Sequence, residues 1–281
     1  MVAVNQDYQY SFNNFTFGEG SDFWVTVIDG LDPVDSRVDI NERPEDHGAY
    51  VYAGWNEVRK VVFQGDLYAV GSYFANAVNT FRQAFASRRG LVPLYFKLPY
   101  ETEKCVFVLP VKRSFNMDIP YSNGHLKWAV QFVAEDPRIY GADLITTTIG
   151  PTTPAGGIDF SVDFDTTFGG TTGGQAAIIN SGVANSPAVM RINGPASYPR
   201  IVNLTTGERT LIQGDVAAGD YLEIDYGLKT VILNGTTSRF HLLQQPHNWW
   251  LLEPGTQYIQ FAASGTTGAS SLVIKHRSAW W

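Results

Sequence analysis

AGDYLEIDYGLKTVILNG, residues 218–235, reads as two short strands, DYLEIDYG and KTVILNG, divided by turn residues. The same pattern fills the chain from Gln175 onward. AAIINSG, PAVMRINGP, RIVNLTTGERTLI, WWLLEPG, QYIQFAA and SSLVIKHR are short runs bounded by Gly, Pro, Asn or Ser. No helical periodicity interrupts them. Eight or so strands in about a hundred residues predict a β-sandwich or jelly roll.

Upstream of this series the composition changes sharply. TTTIGPTTPAGG and TTFGGTTGG are rich in Thr, Gly and Pro and nearly free of charge, which predicts a domain junction over residues 146–174. Within it, IDFSVDFD (158–165) alternates like a strand, either the first of the second domain or a connecting ribbon. A chain of 281 residues favours two domains on length alone, here 1–145 and 175–281.

The first half is also mostly strands. Phe23, Val25 and Val27 alternate with Trp24, Thr26 and Ile28, a strand apolar on both faces, and a second alternating stretch runs from Glu57 to Leu67. One segment differs. In GSYFANAVNTFRQAFASRRG, Phe74, Val78, Phe81 and Phe85 recur at helical spacing, so a helix is expected from about Ser72, as its cap, to Arg89. Lys127 to Ala134 alternates again, after an Asn123-Gly124 pair suited to a tight hairpin turn, and predicts a hairpin arm. The fold class is therefore mainly β with one helix.

Composition narrows the function. The formal net charge is −7, and the densest basic stretches, VKRSF and ASRRG, are short, so attraction to nucleic acid or an anionic membrane has no electrostatic basis. No apolar run approaches the ~20 residues of a membrane helix. Cys105, the only cysteine, sits in the apolar run CVFVLP and reads as a buried small hydrophobe.

The series NSGVANSPAVMRINGP, NLTTGERTLI, AGDYLEIDYGLKTVILNG, NWWLLEPGTQYIQFAA and ASSLVIKHRSAWW, in that order, closely resembles the carboxy-terminal domain of distal tail proteins (Dit) of siphophages. VRKVVFQGDLYA, the amphipathic helix and KWAVQFVAEDPRIYG resemble, more loosely, that family's ring-forming domain. The matching positions are architectural: Asn193-Gly194-Pro195, Asp225, Asn234-Gly235, Trp250 and Pro254-Gly255. The resemblance implies an amino-terminal ring domain and a carboxy-terminal galectin-like sandwich. It also implies a homohexameric ring at the distal end of the virion tail, assembled in the host cytoplasm and passing DNA through its channel. The implied partners are the tail tube protein, the tail-associated lysin or hub protein, and receptor-binding or other tail-tip proteins. It supplies no catalytic residues and no cofactor.

The residues themselves offer little chemistry. His47, His125, His241, His247 and His276 never fall at zinc-ligand spacing. Asp159, Asp163 and Asp165 share one strand face rather than a calcium loop. Asp220, Glu223 and Asp225 would serve a glycosidase only at a fixed separation across a sugar. Ser181, Ser186 and Ser264 lack a nucleophile elbow. Neither an enzyme nor a metal site is expected.

The aromatic residues are the candidate site. Neighbours in a strand point to opposite faces, so Trp250 is expected in the core and Trp249 at an interface with another domain or subunit. The terminal Trp280 and Trp281 are further interface candidates, because two indoles in water would leave an apolar patch. The other reading is that Trp249, Trp250, Trp280 and Trp281 form a platform for host cell-wall polysaccharide, with Trp249, Trp280 and Trp281 as the candidate contacts.

Overall fold

The computed structural model describes residues 4–52, 54–152 and 174–281. It divides into two units, Met1–Ala142 together with Trp281, and Asp143–Trp280. The expected strand in 158–165 and its three aspartates lie outside the described residues, as does most of the 146–174 junction.

In the first unit the strands are β1 (Gln9–Phe12), β2 (Phe15–Gly18), β3 (Phe23–Asp29), β4 (Ser36–Arg37), β5 (Ile40–Glu42), β6 (Ala49–Val51), β7 (Trp55–Asn56) and β8 (Arg59–Tyr68). Helix α1 (Gly71–Ala84) follows, then β9 (Val92–Lys97), β10 (Lys104–Phe115), the short α2 (Ile119–Ser122), β11 (His125–Ala134) and β12 (Ile139–Gly141). The main sheet runs β2-β1-β9-β10-β11-β8-β3, with β12 against β10. Its pairs are antiparallel. Phe74, Val78, Phe81 and Ala84 are the buried face of α1, as the helical spacing predicted. Phe81 lies 5.3 Å from Trp128 of β11, and Phe12 and Phe85 stack at 5.5 Å, so the core is largely interleaved aromatic rings.

Three local expectations are corrected. The helix ends at Ala84 rather than Arg89, because Arg113 of β10 donates to the Phe85 carbonyl and the Phe85 ring turns into the core. The residue before the helix is Val70, in extended conformation, and no side chain caps the start, Ser72 included. β3 carries a bulge between Val25 and Val27, which turns Val27 outward and leaves Ile28 half-buried, so no single face keeps the expected alternation.

Gly65 explains how the sheet accommodates its largest ring. It pairs with Trp128, and a Cβ there would lie 1.8 Å from the Trp24 carbonyl and 2.6 Å from the Trp128 ring. Only glycine leaves that space.

The second unit contains β13 (Ile145–Ile149), β14 (Gln175–Asn180), β15 (Ala188–Asn193), β16 (Ala196–Asn203), β17 (Arg209–Leu211), β18 (Asp215–Val216), β19 (Tyr221–Asp225), β20 (Thr230–Leu233), β21 (Thr237–Ser238), β22 (Gly255–Ser264) and β23 (Ser271–His276). Two sheets form, β13-β23-β15-β19-β20-β21 and β14-β22-β16-β17 with β18 on β16. Residues 145–149 were expected at the domain edge and junction; they pair with β23 inside this unit. Met190, Ile192, Leu222, Ile224, Leu272 and Ile274 of one sheet and Ile178, Ile201, Ile259 and Phe261 of the other are fully buried, every second residue along their strands. Alternation of this kind marks a sandwich core about 10 Å thick.

Polar side chains hold the sandwich loops. The buried Asn180 donates to Ala184 O at 2.8 Å and Leu252 O at 3.0 Å, and its Oδ1 accepts from Gly182 N and Ala279 N, each at 3.1 Å. Asp225 Oδ1 accepts from Gly227 N and Leu228 N at 2.8 and 2.9 Å, closing the β19–β20 turn.

Candidate functional site

Residues His247–Trp250 form no strand; they run as an irregular connection toward β22. The rule that strand neighbours diverge therefore does not govern Trp249 and Trp250, and both rings gather on Tyr226, at 5.7 and 4.9 Å. Trp250 is in the core, as expected. Its Nε1 donates to Thr210 Oγ1 at 3.2 Å, and that hydroxyl shares a 2.5 Å hydrogen bond with Tyr226 OH. Burial pushes the Tyr226 phenol up, partly offset by Thr210.

Trp249 packs on its own unit. It lies 4.8 Å from the His247 ring, edge-on, and 6.0 Å from Phe240, and is left half-buried. Burial lowers the His247 pKa despite Glu208. Of the terminal pair, Trp280 is half-buried, while Trp281 groups with the first unit, 5.6 Å from the Arg138 guanidinium and 39% exposed. Trp249 and Trp280 belong to the second unit and Trp281 to the first.

The carboxylates weighed for catalysis are engaged in structure. Glu223 pairs with Arg191 at 3.0 Å, Asp220 accepts from Asn234 Nδ2 at 2.8 Å, and Asp225 closes its turn. Among the described residues, no group of three or more His, Cys, Asp or Glu side chains is placed to hold a metal. Cys105 is buried, as expected.

A feature not read from the sequence stands out in the first unit. Ser36–Asn56 folds back as two ladders, β4 with β7 and β5 with β6, with Arg43 N bonded to Gly48 O at the tip. The expected arm around Lys127–Ala134 is instead the middle of the main sheet, with β10 on one side and β8 on the other. Most of the described residues of the Ser36–Asn56 hairpin are exposed. Trp55 is 71% exposed and Ile40 61%, with Tyr50, Val51 and Tyr52 also in water. Its tip, RPEDHG, is turn-like in composition, but nothing in the sequence separates the hairpin from ordinary meander strands.

The base of this arm is fixed by a buried arginine. Arg59 donates from Nε to Pro137 O at 2.7 Å and from Nη1 to Gly30 O and Asp32 O at 2.7 and 2.6 Å. Burial lowers its pKa, with Asp32 opposing. Gly30 is required at the turn, because its φ is +85° and a Cβ would meet Lys60 O at 1.7 Å.

Fold and surface together define a two-unit β protein that ends in a sandwich and carries an unpacked apolar arm. Residues 181–280 match the family of siphovirus-type tail component, C-terminal domain, which bears out the resemblance to siphophage distal tail proteins. The structure is similar to that of Dit of phage SPP1, described as a paradigm of the hub adsorption apparatus in phages infecting Gram-positive bacteria. The TM-score is 0.65 at 11% identity, over 95% of this chain and 97% of that one. It is also similar to a chain of the phage P2 baseplate in its activated conformation with calcium, at TM-score 0.57 and 10% identity over 96% of this chain and 97% of that one. No curated protein sequence matches the chain.

Proposed function

We propose that the chain is a structural component of a siphophage tail tip, forming a closed six-membered ring that joins the tail tube to the baseplate and host-binding parts. In this reading DNA passes through the ring, the tail tube and the tail-associated lysin or hub protein are its axial neighbours, and receptor-binding proteins attach around it. Assembly takes place in the host cytoplasm, before the ring takes its place at the distal end of the virion tail.

The observation that carries the reading is the Ser36–Asn56 arm. A lone two-stranded hairpin is at best marginally stable in water, and this one exposes Ile40, Tyr50, Val51, Tyr52 and Trp55. A second copy is the natural cover. An arm that docks on a different surface of the next copy makes a head-to-tail contact, and such contacts form a ring when the rotation between copies closes.

The test is sedimentation of the full chain beside an Ile40→Glu, Trp55→Glu double variant. The unaltered protein is expected to form a discrete ring, and the variant to remain folded by circular dichroism but single-copy. A variant that assembles like the unaltered protein removes the arm from the interface.

A further inference from the structure

The outer face of the β14-β22-β16-β17 sheet carries an arrangement that sandwich packing does not need. Along β16, Pro199 is buried, while its neighbours Tyr198 and Arg200 both face water, Tyr198 at 68% exposure. The β16–β22 register shifts between Ser197 and Arg200, a β-bulge. Tyr198 takes a φ of +47°, and its N–H donates to Gly214 O at 3.0 Å, which pins this backbone. A tyrosine in the left-handed region is strained, where Gly or Asn would sit comfortably. Bulges of this kind re-aim a side chain. The sequence thus keeps a strained aromatic ring pointing outward.

Two clefts meet at this point. One is lined by Tyr198, Arg200, Ser264 and Thr266, the other by Tyr198, Arg200, Gln213 and Gln244. Among the described residues the Arg200 guanidinium makes no ion pair or hydrogen bond. An exposed ring flanked by guanidinium, amide and hydroxyl groups matches the chemistry of a sugar chain. The apolar face of a pyranose stacks on an aromatic ring, and its hydroxyls take hydrogen bonds from planar donors and return them to amide oxygens.

We propose that Tyr198 and Arg200 form a saccharide-binding site, with a hexose ring stacked on Tyr198 and its hydroxyls bonded to Arg200 and the cleft amides. This site uses none of Trp249, Trp280 and Trp281, and it does not depend on ring formation.

The experiment titrates the full chain with neutral hexose and N-acetylhexosamine tetrasaccharides and with their phosphorylated counterparts, read by saturation-transfer NMR. Three variants are compared: Tyr198→Asn, Arg200→Gln and Trp249→Ala. The expected result is saturable binding of at least one tetrasaccharide in the millimolar range or tighter. Tyr198→Asn and Arg200→Gln should each weaken it at least tenfold, while Trp249→Ala leaves it unchanged. Because Asn suits a positive φ, Tyr198→Asn should melt no lower than the unaltered protein, so loss of binding cannot be loss of fold. Absence of saturable binding to every tetrasaccharide overturns the proposal, as does binding that survives both site variants. Sedimentation of the same samples reports ring formation separately, so the two readings fail independently.

Discussion

Trp250 and Trp249 are adjacent in sequence but differ in what their loss should cost. Trp250 is buried and holds Thr210, so Trp250→Ala should destabilise the second unit by about 3–5 kcal/mol. Trp249→Ala should cost clearly less, since part of its ring is already solvated. Urea unfolding followed by circular dichroism gives both values; equal losses would contradict the packing described. His276 is a second residue-scale test. Its Nε2 lies 3.1 Å from Ile179 O, its buried Nδ1 has no hydrogen-bond partner among the described residues, and burial lowers its pKa from 6.5 against the opposing effect of that carbonyl. The unfolded chain then binds the proton more readily, so this contribution to stability is complete above about pH 6.5 and is lost as pH falls toward the depressed folded value. His247 adds to the same trend. Melting temperature of the second unit should drop as pH falls below about 6.5, and His276→Gln should flatten that slope. Trp250 as a core residue was legible from the sequence; the position of Trp249 was not. The strand argument does not apply because His247–Trp250 makes no ladder, and its rings pack on Tyr226 and Phe240 outside that segment.

At the scale of elements, the Arg59 clamp decides whether the arm has a fixed base. Arg59→Met removes three hydrogen bonds and leaves Gly30, Asp32 and Pro137 carbonyls to find other donors, a loss of about 3 kcal/mol. Arg59→Lys should rescue little, because one ammonium cannot reproduce the planar fork spanning both loops. Hydrogen exchange should show faster opening of residues 28–34 in both variants, and unchanged exchange there would contradict the clamp. The elements themselves were legible where periodicity is strong: the buried face of α1, the alternation of β8 and β11, and the sandwich strands. What escaped was fixed by distant partners. The helix end depends on Arg113, thirty or so positions downstream, and β3 depends on a bulge against β8, which no local pattern encodes. The Ser36–Asn56 hairpin escaped for a different reason: Ile40, Tyr50, Val51, Tyr52 and Trp55 are exposed, so burial on one face gives them no alternation to read.

For the whole molecule, the structure divides between Ala142 and Asp143, close to the abrupt change in composition after Ile145. The first strand of the second unit, Ile145–Ile149, was hidden because three consecutive threonines precede Ile149 and read as loop. The chain's last residue also belongs to this scale. Trp281 groups with the first unit beside Arg138, so deleting Trp280 and Trp281 should lower thermal stability or disturb assembly. A truncated chain that melts and assembles unchanged would contradict that role. The central claim, identical copies closed into a ring at the end of a tail, is tested most directly by cryo-electron microscopy of the distal tip of particles that carry this chain. Six copies in one closed ring, each Ser36–Asn56 arm seated on its neighbour, is the result this account predicts. Copies spread along the tube, or none at the tip, would contradict it.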